Sequence, residues 1–369
     1  MQQNERYSRH LNLKGFGPAA QQKLQQASVL VIGAGGLGCP VLQYLTAAGV
    51  GVIGIADDDL VSLSNLQRQV LYTVDDLGLL KAQQAAERLR RLNPEILIHT
   101  HIQKVDNANA LELIQKYDLV VDGTDNFASR YLINDACVLL GKPLVFAAVY
   151  QYEGQLAIFN VPAQGGLKSS YRDLFPTPPK AFEAPDCNVA GVLGVLPGMM
   201  GMMQATEVIK LITGLGNPLN NQLLTYNALN AESYTIQVSP NPQALAHAPK
   251  NAEEFRQLDY EWLCSADTRP IAAIDAPTFE QYKSDPRALI LDVREFGEWP
   301  QASFPHLQIP LNTLHDQFQQ LEKDKIVVFC QSGKRSAQAA AILQEHFGDS
   351  KEIYSLAGGI TALENNLHN

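Results

Sequence analysis

Val29-Leu-Val-Ile-Gly33-Ala-Gly35-Gly36-Leu-Gly38 restricts the fold of this chain more than any other stretch. Four apolar residues run into G-x-G-x-x-G and then into a helix-favouring segment, the order in which strand, tight turn and helix open a βαβ unit. Gly33 makes the bend, Gly35 lets the backbone approach a phosphate, and Gly38 permits close helix packing. The helix that follows offers free amides and the positive end of its dipole to an anion. Apolar strand-like runs then alternate with helix-like segments at 28–32, 50–56, 96–102, 119–122 and 144–149. The expectation is an α/β fold with a mostly parallel sheet.

Beyond that alternation the pattern changes. Residues 154–170 read as a strand and a Gly-rich loop, and 171–184, rich in proline and aromatics, as a long mobile connection. A Met-rich helix over 195–212 and two closing strands over 222–238, turning at Asn227, complete a first domain of 1–238. Residues 239–270, with Ser239-Pro-Asn-Pro and no periodicity, have linker composition. Alternation resumes from 271 to 369, enough for one small α/β domain. The length of 369 residues agrees with two cores.

Charge and cysteine usage exclude several classes. With 28 basic against 38 acidic side chains the formal net charge is -10, which argues against a phosphate-tracking surface and hence against nucleic acid as a partner. Residues 1–10 hold no apolar run of signal-peptide kind, and no stretch reaches about 18 uninterrupted apolar residues. A cytoplasmic protein without membrane contact is therefore expected. Cysteines at 39, 137, 187, 264 and 330 are odd in number, widely spaced and free of Cys-x-x-Cys, so they suggest reactive thiols rather than disulfides or a zinc site.

The chemistry must come from what surrounds the glycine turn. Asp57 closes the second strand where a ribose hydroxyl sits in dinucleotide sites, which fits NAD as well as ATP. Asn65 and Arg68 stand three apart and would share a helical face, where a guanidinium would meet phosphates. Lys81 heads another helix and supplies a second cation, and Asp125 follows the fourth strand as a carboxylate placed for magnesium. With no Walker A sequence present, these groups would hold ATP for attack on its α-phosphate. A nicotinamide-dependent dehydrogenase would use the same glycines but leaves Asn65 and Arg68 unexplained.

The second domain carries Ile326-Val-Val-Phe-Cys330-Gln-Ser-Gly-Lys-Arg335-Ser336, a strand running into a loop that closes on a helix. Loop amides, the helix N-terminus, Lys334 and Arg335 would surround the thiol and favour a thiolate or anionic persulfide. No apolar enclosure is expected there. Cysteine phosphatases place five residues between Cys and Arg to encircle phosphate; this loop has four, which favours sulfur.

These residues carry two resemblances. Arg6-Tyr-Ser-Arg9-His, the Gly33–Cys39 turn, 57–69, 122–126 and Asp186-Cys187 through Gly198 resemble the MoeB/ThiF adenylyltransferases, relatives of ubiquitin-activating enzymes, across residues 1 to about 238. Leu289-Ile-Leu-Asp292-Val-Arg294-Glu, Trp299, Cys330 to Ser336 and Leu356-Ala-Gly-Gly-Ile360 resemble a rhodanese domain, with an eroded His306-Leu-Gln-Ile-Pro-Leu311 between them. The first resemblance implies a Rossmann-like, ubiquitin-activating-type adenylation domain that transfers AMP from Mg-ATP to the terminal Gly-Gly carboxylate of a small ubiquitin-fold sulfur carrier. It implies a homodimer in which Arg9 reaches the partner's ATP. By it Asp57 would hold ribose, Asn65, Arg68 and Lys81 phosphates, and Asp125 magnesium, with Gly33, Gly35, Gly36 and Gly38 forming the cradle. Cys187 would attack the adenylate or resolve an acyl persulfide. The second resemblance makes Cys330 the sulfur carrier, loaded by a persulfide donor such as a cysteine desulfurase, with Arg335 beside it, and Asp292 with Arg294 a structural pair. Zinc, held in close relatives by two Cys-x-x-Cys pairs, is not expected, because the first pair would fall at Ser170-Tyr-Arg-Asp173; apolar packing is expected to close that end. Whether the carrier serves molybdopterin, thiamin or another pathway is not written in the sequence.

Overall fold

The structure is a computed structural model that describes residues 5–162, 166–177, 191–241, 244, 248–260 and 272–365, without the side chains of Lys334, Glu345, Asp349, Glu364 and Asn365. Cys187 and Cys264 therefore lie outside the described residues. The chain divides into two compact units, the second comprising chiefly Cys264–Asn369.

In the first unit β1 (Ser28–Ile32), β2 (Val52–Ala56), β3 (Leu97–His101), β4 (Leu119–Asp122) and β5 (Leu144–Tyr150) pair in parallel, and β6 (Glu153–Phe159), β7 (Gln222–Asn227) and β8 (Glu232–Gln237) add antiparallel strands in the order β3-β2-β1-β4-β5-β6-β7-β8. β1 and β4 are apolar at nearly every position because helices cover both faces of a parallel sheet. Leu30, Val31, Val120 and Val121 are all fully buried. The helix Val195–Thr213 lies where its apolar run predicted, and its Leu196, Met200, Ala205 and Val208 join the main core. Within the sheet order the chain moves outward from β1 through β2 to β3, then returns to β4 on β1's other side. That reversal places a crevice at the carboxyl ends of β1 and β4, the position where open α/β sheets bind ligands.

Two segments differ from the sequence expectation. The stretch from 171 is not loose at its start: Tyr171–Leu174 is helical, and Tyr171 packs in an aromatic cluster with Tyr131, Phe146, Phe159 and Phe175. Arg172 is fully buried, with Nε and Nη2 each 2.7 Å from an oxygen of Asp135, and the Tyr260 hydroxyl donates to Asp135 Oδ2 at 2.9 Å. Burial, and after it the Asp135 charge, push the Tyr260 hydroxyl pKa upward, so it remains a donor. That end of the domain is thus closed by aromatic packing together with a buried ion pair, where apolar packing alone was expected. Residues 239–270 are also not all linker. Ala252–Gln257 is a helix capped by Asn251, Phe255 is buried, and Asn107 Nδ2 donates to the carbonyls of Arg256 and Leu258, so this segment belongs with the first unit.

The second unit is a five-stranded parallel sheet in the order β11 (Leu307–Gln308), β10 (Ala288–Asp292), β12 (Lys325–Phe329), β13 (Glu352–Leu356), β9 (Ala272–Ile274). β12 is central, and the helix Lys334–Phe347 follows it directly. No helix of the described residues is long and apolar enough to cross a membrane.

Candidate functional sites

A cavity of ≈ 680 Å³ opens at the crevice between β1 and β4. On one side it is walled by the glycine turn, by Asp57–Asp59 after β2, by Gln103–Val105 after β3, and by Arg68 and Lys81. On the other stand Gly123–Asn126 after β4, Ser129, Arg130 and Ile133 of the helix Phe127–Leu140, and Val149 of β5. Gly33 has φ +93°, and a Cβ there would meet Gly123 O at 2.7 Å, so only glycine lets the β1 and β4 loops close together. A Cβ on Gly38 would lie 1.9 Å from Gly33 O, which fixes the helix against the turn. Gly35 and Gly36 face the cavity, leaving their backbone open to a phosphate. The donor set and the open glycine backbone fit a nucleoside triphosphate.

The predicted residues arrive unequally. Asp57 accepts from Ala34 N–H at 2.7 Å and from Asp59 N–H at 2.9 Å; burial raises its pKa and the Lys81 charge opposes the rise. Lys81 is buried and its Nζ is held 2.7 Å from Asp59 Oδ2, an acid that the sequence reading did not assign. Arg68 lines the cavity, with Nη1 on the Ser64 carbonyl at 3.1 Å. Asn65 does not reach the wall: it ends the turn Leu63–Asn65, where its carbonyl receives the amides of Arg68 and Gln69. Asp125 is exposed on the wall, beside Asn126, which caps its helix. Among the described residues no group of three or more His, Cys, Asp or Glu side chains is placed to hold a metal. Arg9 is exposed in the short helix Ser8–Leu11 and absent from the wall of its own chain's cavity. Burial raises the Cys39 thiol to about 12 and pushes Cys137 up as well, so neither is a nucleophile near neutral pH. Sequence reasoning missed Gln67, Gln69 and Arg130 on the wall; a glutamine or a mid-helix arginine carries no sequence signal without knowledge of which face is inward.

In the second unit Cys330 directly follows β12, and its Sγ accepts the Gly333 N–H at 3.2 Å. Ser336 Oγ lies 3.7 Å from the sulfur, donates to Gly333 O and accepts from Ser355 Oγ at 3.0 Å, so the loop closes around the thiol. Contrary to the expectation of no apolar enclosure, Cys330 is 0 % exposed and packs with Val328, Ala339 and Ile353. The enclosure comes from the sheet and the helix, which the loop sequence alone does not display. Arg335 makes a bidentate pair with Glu298, at 2.5 and 2.7 Å, so its charge is shared with that carboxylate. Asp292 and Arg294 form a buried bidentate pair whose guanidinium also holds the Pro300 carbonyl.

Arg335 holds the Glu298 carboxyl below its usual range. A depressed carboxylate pKa contributes stability that is present above the unfolded value and lost as pH falls through the folded one. Glu298→Gln should therefore lower the melting temperature near neutral pH by an amount worth about 1 kcal/mol or less, discounted for partial exposure, and should flatten the acid side of the stability profile. An unchanged acid limb in melting curves would contradict this clasp.

A glycine-cradled anion site at a switch point and a cysteine loop between strand and helix define an anion-activating α/β domain joined to a thiol-bearing one. Comparison with known proteins gives the family. Residues 7–246 match the ThiF family and residues 275–366 the rhodanese-like domain. The chain belongs to the ThiF family and carries a C-terminal rhodanese-like domain. It is 42% identical over 369 residues to the probable adenylyltransferase/sulfurtransferase MoeZ of Mycobacterium tuberculosis (strain CDC 1551 / Oshkosh), covering 97% of this chain and 92% of that one. It is 48% identical over 264 residues to the sulfur carrier protein adenylyltransferase of Thermus thermophilus, covering 70% of this chain and 96% of that one. Among solved structures, E. coli MccB with ATP superposes with a TM-score of 0.56 at 24% identity over 65% of this chain and 73% of that one, a likeness of fold.

Proposed function

We propose that this protein adenylates the terminal Gly-Gly carboxylate of a small ubiquitin-fold sulfur carrier and then converts it to a thiocarboxylate with sulfur held on Cys330. The observation that carries the reading is the joining, in one chain, of a triphosphate-sized cleft with its own cations to a cysteine loop whose amide faces the sulfur. The names of the two relatives just given, one an adenylyltransferase/sulfurtransferase and the other a sulfur carrier protein adenylyltransferase, support it.

In this reading Asp57 holds the ribose, while Lys81, Arg68 and the Gly35–Gly36 backbone bear on the phosphates. Asp59 keeps the Lys81 ammonium fixed at the wall, so the cation need not be reorganised when charge develops on the leaving pyrophosphate. Asp125 would hold a magnesium ion brought in on ATP, which neutralises phosphate charge. The carrier's carboxylate attacks the α-phosphorus, pyrophosphate leaves and an acyl adenylate forms. The terminal sulfur of a Cys330 persulfide attacks the acyl carbon and AMP departs. Cys187 thiolate then attacks Cys330 Sγ, releasing the thiocarboxylate and leaving a Cys187–Cys330 disulfide for an external thiol to reduce. Arg9, exposed and off its own cavity, would act on a second copy in a homodimer. A cysteine desulfurase is the class of enzyme that supplies such a persulfide, a cytoplasmic setting suits the free thiols, and the identity of the carrier decides the pathway.

The test is ATP–pyrophosphate exchange with carrier proteins ending in Gly-Gly. Exchange should require the carrier, and Lys81→Met should slow it about 10²- to 10³-fold, the scale for losing one preorganised charge. Exchange without carrier, or tight NADH binding with no ATP binding, would end this reading in favour of another nucleotide enzyme.

A further inference from the structure

Arg130 is 6 % exposed and lines the cavity, yet its side chain makes no hydrogen bond among the described residues. Its Nε is buried without a partner. The guanidinium rests over the rings of Phe127 and Phe146, 5.2 and 5.8 Å from their centroids, so packing fixes its plane. Its electrostatic neighbour is Asp122, whose charge it favours while burial disfavours it, and Asp122 spends Oδ1 on Thr124. A buried arginine costs several kcal/mol of desolvation, and with Asp122 acting on it through charge alone, its donors remain open to an anion that enters the cavity.

Position selects the anion. The residues assigned to phosphate, the glycine turn, Arg68 and Lys81, lie on the β1–β2 side of the crevice. Arg130 stands on the β4–β5 side, one turn after Asn126, with apolar Ile133 and Val149 near it on the same wall. A group entering there stands on the wall away from the residues assigned to ribose and phosphates. A planar guanidinium fork matches a carboxylate in two parallel hydrogen bonds, and the apolar wall suits an extended chain end without side chains.

We propose that Arg130 binds the terminal carboxylate of the incoming carrier chain and orients it toward the α-phosphorus. This rests on the reading of the carrier as substrate. The experiment measures the affinity of wild-type protein and of Arg130→Gln and Arg130→Lys variants for a Gly-Gly carrier and for the same carrier with its terminus amidated, in the presence of a non-hydrolysable ATP analogue. Carrier-dependent exchange by the wild type tests the substrate reading separately. The wild type should prefer the carboxylate about 10- to 100-fold, the worth of hydrogen bonds to a charged group. Arg130→Gln should bind both forms alike with its affinity for the analogue unchanged, and Arg130→Lys should recover part of the preference. An arginine that merely supports the fold would weaken both carriers equally. Retained preference in a folded Arg130→Gln protein, or loss of nucleotide affinity with the preference intact, would overturn the assignment, the second result giving Arg130 to the phosphates.

Discussion

Cys330→Ala is expected to lower thiocarboxylate formation by about 10³-fold or more while carrier-dependent ATP–pyrophosphate exchange continues at the wild-type rate. The two activities should separate because the groups proposed to bind ATP and the cysteine proposed to carry sulfur belong to different compact units. Alanine removes the sulfur but keeps a small apolar side chain in the core cluster that holds Val328, Ala339 and Ile353, so the second unit should still fold. Serine is the less informative replacement, because it buries a hydroxyl that competes for the Gly333 N–H. Parallel assays of pyrophosphate exchange and carrier mass check the claim. Wild-type thiocarboxylate yield from the alanine variant, driven by ATP and a persulfide source, would remove Cys330 from the path and leave the second unit a docking module.

Asp135→Ala should destabilise the first unit by about 3–5 kcal/mol, because it strands the fully buried Arg172 guanidinium as an unpaired charge. It also leaves the Tyr260 hydroxyl without its acceptor. Replacing both partners by apolar residues of similar volume, Asp135→Leu with Arg172→Met, should cost much less, since no buried charge then remains. Guanidinium denaturation of the two variants measures the difference. Equal losses would show that packing of the Arg172 guanidinium on the Tyr131 ring, and not the charge pair, holds that end. The interaction ties 171–174 to the helix Phe127–Leu140 and to residue 260, so its loss should also speed proteolysis between 241 and 260.

What the sequence displayed and what it hid follow a physical rule. Parallel strands buried on both faces become continuous apolar runs, so β1 to β5 stood out with ends correct to within about two residues. The glycine turn was legible because the close approach of Gly38 to Gly33 admits no side chain. Asp57, Arg68, Lys81 and Asp125 could be placed by their distance from strand ends, and all four stand on the cavity wall. Asn65 could not, because the segment is a tight 3-10 turn and not the α-helix that a shared face assumed. Lys81 paired with Asp59, the Arg172–Asp135–Tyr260 set and Arg335 with Glu298 each join residues 22 or more positions apart, and no local pattern announces a long-range partner. Phe255 shows the same limit: one aromatic in a charged six-residue helix reads as linker until the surface that buries it is known. Arg130 was overlooked because a mid-helix arginine is ordinarily solvated, and only the cavity shows that this one is not.

Intact mass of carrier proteins ending in Gly-Gly, incubated with this protein, Mg-ATP and a persulfide donor under mild reduction, tests the central claim most directly. The account predicts a carrier in which one oxygen has been exchanged for sulfur, formed only when ATP and Cys330 are both present. A carrier that stops at the adenylate with an intact Cys330 persulfide available, or one that gains sulfur without ATP, would contradict it.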